Sequence, residues 1–283
     1  MDNIDIEQNL EKDDLQTQKI LEKLKLKNIS SSIGFAIVLQ LFLSAVLMSI
    51  LEVLSTGINY NSMSVLPTIT SPVLYYTLGS IFFILSVFTP FYFTARSLKI
   101  NLSTVLPFKP VNKKILLGFI GIGLGVCICS NYLTDLFISN LNQVGIYPIL
   151  ADSQAESDPL AFFMLIIYSA LIPAFIEEFA FRGVCLGLFR KFGDGFAIIM
   201  SSILFSLIHC NLQQIPFAFL VGLVLSYVAV ELNSLLPCII IHFLNNLYSV
   251  IMDELAAYMN PYSFSIIDDL IPIIFIIIGI FSL

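Results

Sequence analysis

Three short patterns in this chain bring together groups that can activate water and groups that can hold a developing negative charge. The first is Glu177-Glu178-Phe179-Ala180-Phe181-Arg182, the second Phe205-Ser206-Leu207-Ile208-His209, and the third His242-Phe243-Leu244-Asn245-Asn246. Glu178 and Arg182 stand four apart in the favourable order and can pair along one helix face. A helix turns about 100° per residue, so Glu177 points away from that pair and one carboxylate is left over. Pro173, four residues before Glu177, removes a helix hydrogen bond and invites a kink or a water near the acids. His242 and Asn246 share a face, where an imidazole and an amide can point at one oxygen. Phe205 lies one turn before His209 and can fix its ring. A carboxylate, two imidazoles and an amide are the parts for activating water and stabilising a tetrahedral oxyanion in peptide hydrolysis. The bland alternatives are a charged cluster reaching for headgroups and two structural histidines.

These residues need elements to position them, and composition says where those elements lie. Of 283 residues, 58% are hydrophobic and 12% charged, with mean hydropathy +0.93; this is far from a soluble domain. The expectation is an all-α, polytopic membrane protein with about eight transmembrane helices near 31–54, 72–95, 115–138, 159–182, 194–210, 213–230, 236–256 and 266–283. Residues 1–30 read as a cytoplasmic tail without a secretory leader. In it, Ile20, Leu21 and Leu24 at helical spacing among lysines suit an amphipathic helix on the membrane surface. Residues 31–283 form the transmembrane domain, with the chemistry concentrated in 159–256.

Strict alternation with the tail inside puts all thirteen Lys and Arg on the cytoplasmic side, in the tail and the 96–114 and 182–193 connections. Both termini are then cytoplasmic. The outer connections carry Asp152, Glu156, Asp158, Asp253, Glu254, Asp268 and Asp269, which steer insertion little. A formal net charge of −7, with the basic residues in short clusters, argues against nucleic acid as a partner. Cys127, Cys129, Cys185, Cys210 and Cys238 form no CxxC pair and read as small buried residues. Gly118, Gly121, Gly123 and Gly125 read as a helix-packing surface.

Other proteolytic schemes fit worse. The chain has no HExxH, no GxSxG-like serine, and Phe192 precedes Gly193-Asp194-Gly195 where an aspartyl type needs glycine. Asp135 reads as interfacial. Two further classes remain beside a hydrolase. One is a non-catalytic bacteriocin-immunity factor or scaffold held together by the same cluster. The other is a transporter using Glu and His as a relay, disfavoured by the absence of internal repeats.

The three patterns resemble the EExxxR, FxxxH and HxxxN motifs of the CAAX protease and bacteriocin-processing (Abi) family of intramembrane endopeptidases, over roughly residues 160–250. The resemblance implies a cavity open to the cytoplasmic side, with Glu177 and His209 activating water and His242 and Asn246 holding the oxyanion. Glu178, Arg182 and Phe205 are supporting residues. It implies a peptide or protein substrate at the lipid bilayer, and a setting in a bacterial plasma membrane. No cofactor is expected, because asparagine is a poor zinc ligand and a good oxyanion donor; a metal-dependent variant would use Glu177, His209 and His242 for zinc. Counting along straight helices puts His209 roughly 10 Å deeper than Glu177, which the fold must reconcile.

Overall fold

The computed structural model describes residues 3–56, 59–60, 63–64, 71–148 and 156–281. Their regular structure is helical apart from a two-residue antiparallel ladder pairing Asn59–Tyr60 with Met63–Ser64. Helix α1 spans Asn3–Thr56, so the expected tail and first span are one continuous element. Ile20, Leu21 and Leu24 are exposed on it, and burial begins at Ile29 and Ile33. Helix α2, Pro72–Ser97, and helix α5, Pro159–Phe192, each start with the same device. A polar cap (Ser71 or Asp158) accepts a first-turn backbone N–H, and a proline opens the helix, where its missing N–H costs nothing. The remaining helices are α3 (Leu102–Val105), α4 (Lys113–Gln143), α6 (Asp194–Leu207), α7 (Gln214–Leu232), α8 (Leu236–Tyr258) and α9 (Pro261–Phe281).

Among the described residues six helices are long and apolar enough to cross a membrane: α1 from Leu15, α2, α4, α5, α7 and α8. The expected eight are not all of this kind. The segment expected at 194–210 is the 14-residue α6, about 21 Å long and short of a bilayer core. Of that expected at 266–283, residues 266–281 lie in α9 and the last two lie outside the described residues.

The larger correction concerns α5. It was expected to end at Arg182 but runs on to Phe192, 34 residues in all. Arg182 is therefore a fully buried residue inside the bundle and not part of a cytoplasmic connection. The helix is irregular where the chemistry sits, with five-residue-step turns at Ile167–Leu171 and Phe179–Cys185 on either side of Glu177. Such widened turns often occur at functional sites. Gly193, with φ +112, makes the reversal into α6, a conformation that suits glycine.

Helices α6 and α7 form a tight antiparallel hairpin. A Cβ on Gly222 would stand 3.1 Å from Ser202 Cα, and Ser226 faces Ser202 with their hydroxyl oxygens 3.4 Å apart, so small residues set the helix spacing. Gly123 plays the same part in α4, lying against the Ile241 side chain. Cys127, Cys185 and Cys238 are buried as expected, whereas Cys129 is only half-buried and Cys210 is exposed in the turn between α6 and α7.

The two ends of the bundle differ in charge. Glu22, Lys25 and Asn28 of α1 line one recess with Leu98 and Ile100 beyond α2 and with Leu188, Lys191 and Phe192 of α5. Leu235 donates its N–H to Pro107 O at 2.8 Å at the same end. Arg96, Lys99, Lys109, Lys113, Lys114 and Arg190 belong to these element ends. The opposite end carries the start of α2, the α6–α7 turn and the junction of α8 with α9, where Glu254 accepts the Glu156 N–H at 3.1 Å. Asp152 lies outside the described residues.

Candidate active site

The extension of α5 removes the depth problem. Fifteen residues separate Glu177 from Phe192, and fifteen separate Asp194 from His209. Both side chains thus stand about 22 Å from the Gly193 reversal and are level with each other. Ending α5 at Arg182 produced the apparent mismatch.

Glu177, His209, His242 and Asn246 all line one cavity of about 520 Å³, together with Phe205. Glu178 and Arg182 do not line it; they lie behind its wall. Glu178 is wholly buried, and its Oε1 accepts from Arg182 Nη1 at 2.8 Å and from His242 Nδ1 at 2.8 Å. Arg182 also donates Nη2 to Gly222 O at 3.3 Å, and its guanidinium carbon sits 4.2 Å above the Phe205 ring. Further hydrogen bonds help offset the desolvation of a buried ion pair, and these contacts supply part of them, while Glu178 Oε2 and Arg182 Nε stay buried without a hydrogen-bond partner among the described residues.

Glu177 is 7% exposed and has a different neighbour: its Oε2 lies 3.7 Å from His242 Nε2. Both nitrogens of His242 therefore face carboxylate oxygens, Nδ1 in a hydrogen bond with Glu178 and Nε2 at the longer distance from Glu177. His209 is held differently. Its Nδ1 stands 2.9 Å from Phe205 O, and because a carbonyl can only accept, Nδ1 carries the proton and Nε2 keeps its lone pair. No ion pair joins His209 to Glu177 among the described residues; both line the same cavity.

Phe205 lies between both imidazoles. Its ring is edge-on to His209 (centroids 5.2 Å, planes 81° apart) and to His242 (5.9 Å, 89°), an edge-to-face arrangement. Immediately beyond His209 the chain reverses at Cys210, with φ +49.

Asn246 meets the consequence of Pro173. Proline at 173 cannot donate to Ser169 O four residues earlier, and Asn246 Nδ2 approaches that freed carbonyl at 3.5 Å. Asn245 Nδ2 donates to Asn246 Oδ1 at 3.3 Å and sets the orientation of the amide. The amide keeps a second N–H for another acceptor.

Sequence reasoning missed part of the lining: Tyr76, Ser169, Gln214, Asn245, Ser249, Asp253 and Glu254. A signal for some of these was present. His242, Asn246, Ser249 and Asp253 follow one another at helical spacing and form a polar stripe along α8, which an apolar span does not otherwise carry. Ser169 was marked by Pro173 four residues on.

Zinc requires several donor side chains converging on one point. Among the described residues no three His, Cys, Asp or Glu side chains do so. The Nδ1 contacts of His209 and His242 leave both Nε2 atoms open, so it is the lack of convergence, and not these hydrogen bonds, that keeps Glu177, His209 and His242 from forming a metal site in this arrangement.

A scan against family models matches residues 159–248 to the family described as Type II CAAX prenyl endopeptidase Rce1-like. That stretch contains all three motifs. No curated protein and no solved structure matches the chain.

Proposed function

We propose, from the similarity of residues 159–248 to the Rce1-like family of type II CAAX prenyl endopeptidases, that this chain is an intramembrane endopeptidase hydrolysing a peptide bond of a membrane-associated peptide or protein without a metal. The observation that carries this reading is the spare carboxylate. A purely structural cluster needs one glutamate to neutralise Arg182, and Glu178 fills that place. Glu177 remains on the cavity wall.

The partners behind the two histidines divide their work. Glu177 and the lone pair on His209 Nε2 receive a proton from the attacking water, which gives the hydroxide equivalent that adds to the scissile carbonyl. In the imidazolium form that this step requires, His242 directs its Nε2–H toward the oxyanion, with the free N–H of Asn246 beside it. Collapse of the tetrahedral intermediate breaks the C–N bond, and the proton held by Glu177 or His209 passes to the leaving amine. Glu178, fixed by Arg182, keeps the His242 ring in orientation throughout. This is the role a buried carboxylate plays behind a functional imidazole.

The test compares newly formed peptide ends in cells carrying the wild-type protein and cells carrying Glu177→Ala at matched expression. Peptide ends lost in the mutant establish proteolysis and name the substrate. Identical ends, with any host phenotype intact, move the reading to a non-catalytic immunity factor or scaffold.

A further inference from the structure

The lining of the cavity is lopsided along the bundle. Starting from Glu177 and His242, the other lining residues lie toward one end of the molecule: Pro173, Ser169 and Leu165 toward the start of α5, and Ser249, Asp253 and Glu254 toward the close of α8. Tyr76 near the start of α2 and Gln214 at the start of α7 complete the rim. No lining residue comes from the last turns of α5 or the first turn of α8, which belong to the other end. Glu177 and His242 are therefore the floor of the cavity, and Arg182 with Glu178 seals it from behind.

The charged side chains of the spans give this direction a meaning. Apart from Arg182, every Lys and Arg whose side chain is described sits at the sealed end, in α1 before its apolar half, beyond α2, at the start of α4 and around the Gly193 reversal. The rim carries acidic residues and no basic one. Short connections rich in Lys and Arg stay on the cytoplasmic side during insertion. Applied to this bundle, the rule turns the sealed end to the cytoplasm and the rim away from it, the reverse of the cytoplasmic opening that the family resemblance implied.

We propose that the cavity is reached from the non-cytoplasmic face, and that its substrate is a polypeptide segment exposed on that face or in the outer half of the membrane. The identity of what enters rests on the endopeptidase reading; the direction of access does not. A C-terminus presented by a cytosolic protein would meet the Arg182–Glu178 seal, whereas an exported peptide or the external end of a membrane segment would meet the open rim.

The exposed Cys210, next to His209, is a native reporter once the half-buried Cys129 is replaced by serine in every variant used, since Cys127, Cys185 and Cys238 are buried. A membrane-impermeant maleimide applied to intact cells should modify Cys210. In a Cys210→Ser background, Tyr262→Cys at the start of α9 should be modified in intact cells and Lys113→Cys at the start of α4 only after permeabilisation. Modification of Lys113→Cys in intact cells, with Tyr262→Cys protected until permeabilisation, overturns the proposal; this pair decides even where Cys210 itself reacts in neither state. The predicted labelling without any proteolysis would remove the endopeptidase reading and keep the direction of access. Proteolysis with reversed labelling would do the opposite.

Discussion

Glu178 is wholly buried, with Oε1 shared at 2.8 Å by Arg182 and His242, whereas Glu177, one residue earlier, faces an open cavity and lies 3.7 Å from His242 Nε2. The two residues have the same chemistry and nearly the same depth. A rotation of about 100° on one helix separates a structural anion from an available one. The same contrast recurs between the histidines: a carboxylate stands behind Nδ1 of His242 and a backbone carbonyl behind Nδ1 of His209. Reactivity here is assigned by what stands behind each group and not by residue type.

Breaking the buried half should cost stability first. Arg182→Ala leaves Glu178 in the bundle with His242 as its only remaining hydrogen-bond partner among the described residues, and truncating one partner of a buried pair destabilises by about 3–5 kcal/mol. We expect loss of folded protein, read as a lower unfolding temperature in detergent, with activity falling in parallel. Breaking the cavity half should do the reverse. Asn246→Ala removes one oxyanion donor, for which about 10²–10³-fold in kcat is typical, and the unfolding temperature should change far less than for Arg182→Ala. Activity that survives Asn246→Ala unchanged would take that residue out of the site.

A smaller effect sharpens the comparison from outside the polar cluster. Gly222→Ala adds a methyl group 3.1 Å from the Ser202 backbone and disturbs the carbonyl that receives Arg182 Nη2. Overpacking of this kind costs about 1–3 kcal/mol. The variant should lose stability and move Phe205, and therefore both imidazoles, before it loses Glu177. A thermal scan beside a turnover assay separates these effects.

Much of the site was legible because its residues are out of place in an apolar chain. Glu177, Glu178, Arg182, His209, His242 and Asn246 are conspicuous against 58% hydrophobic residues, and their three- and four-residue spacings are helical. The pairing of Glu178 with Arg182 followed from that spacing alone. The far end of α5 was not legible, since Arg182 reads as a boundary residue until Glu178 and Gly222 are seen around it. The depth of His209 inherited that error. The carbonyl behind His209 was likewise hidden, because a backbone acceptor leaves no mark on residue type. The direction of the cavity depends on which element ends meet in space, although the stripe from His242 through Asn246 and Ser249 to Asp253 already pointed along α8 toward the acidic rim.

The division between the two glutamates is tested most directly by measuring turnover and unfolding temperature side by side for Glu177→Gln and Glu178→Gln. Glu177→Gln should fold with an unfolding temperature near that of the wild type and lose about 10²–10⁴-fold in turnover, the range for removing a general base. Glu178→Gln should lower the unfolding temperature clearly, because Arg182 is then left without a carboxylate. Wild-type turnover in folded Glu177→Gln, or a Glu178→Gln variant as stable as the wild type, would contradict the account.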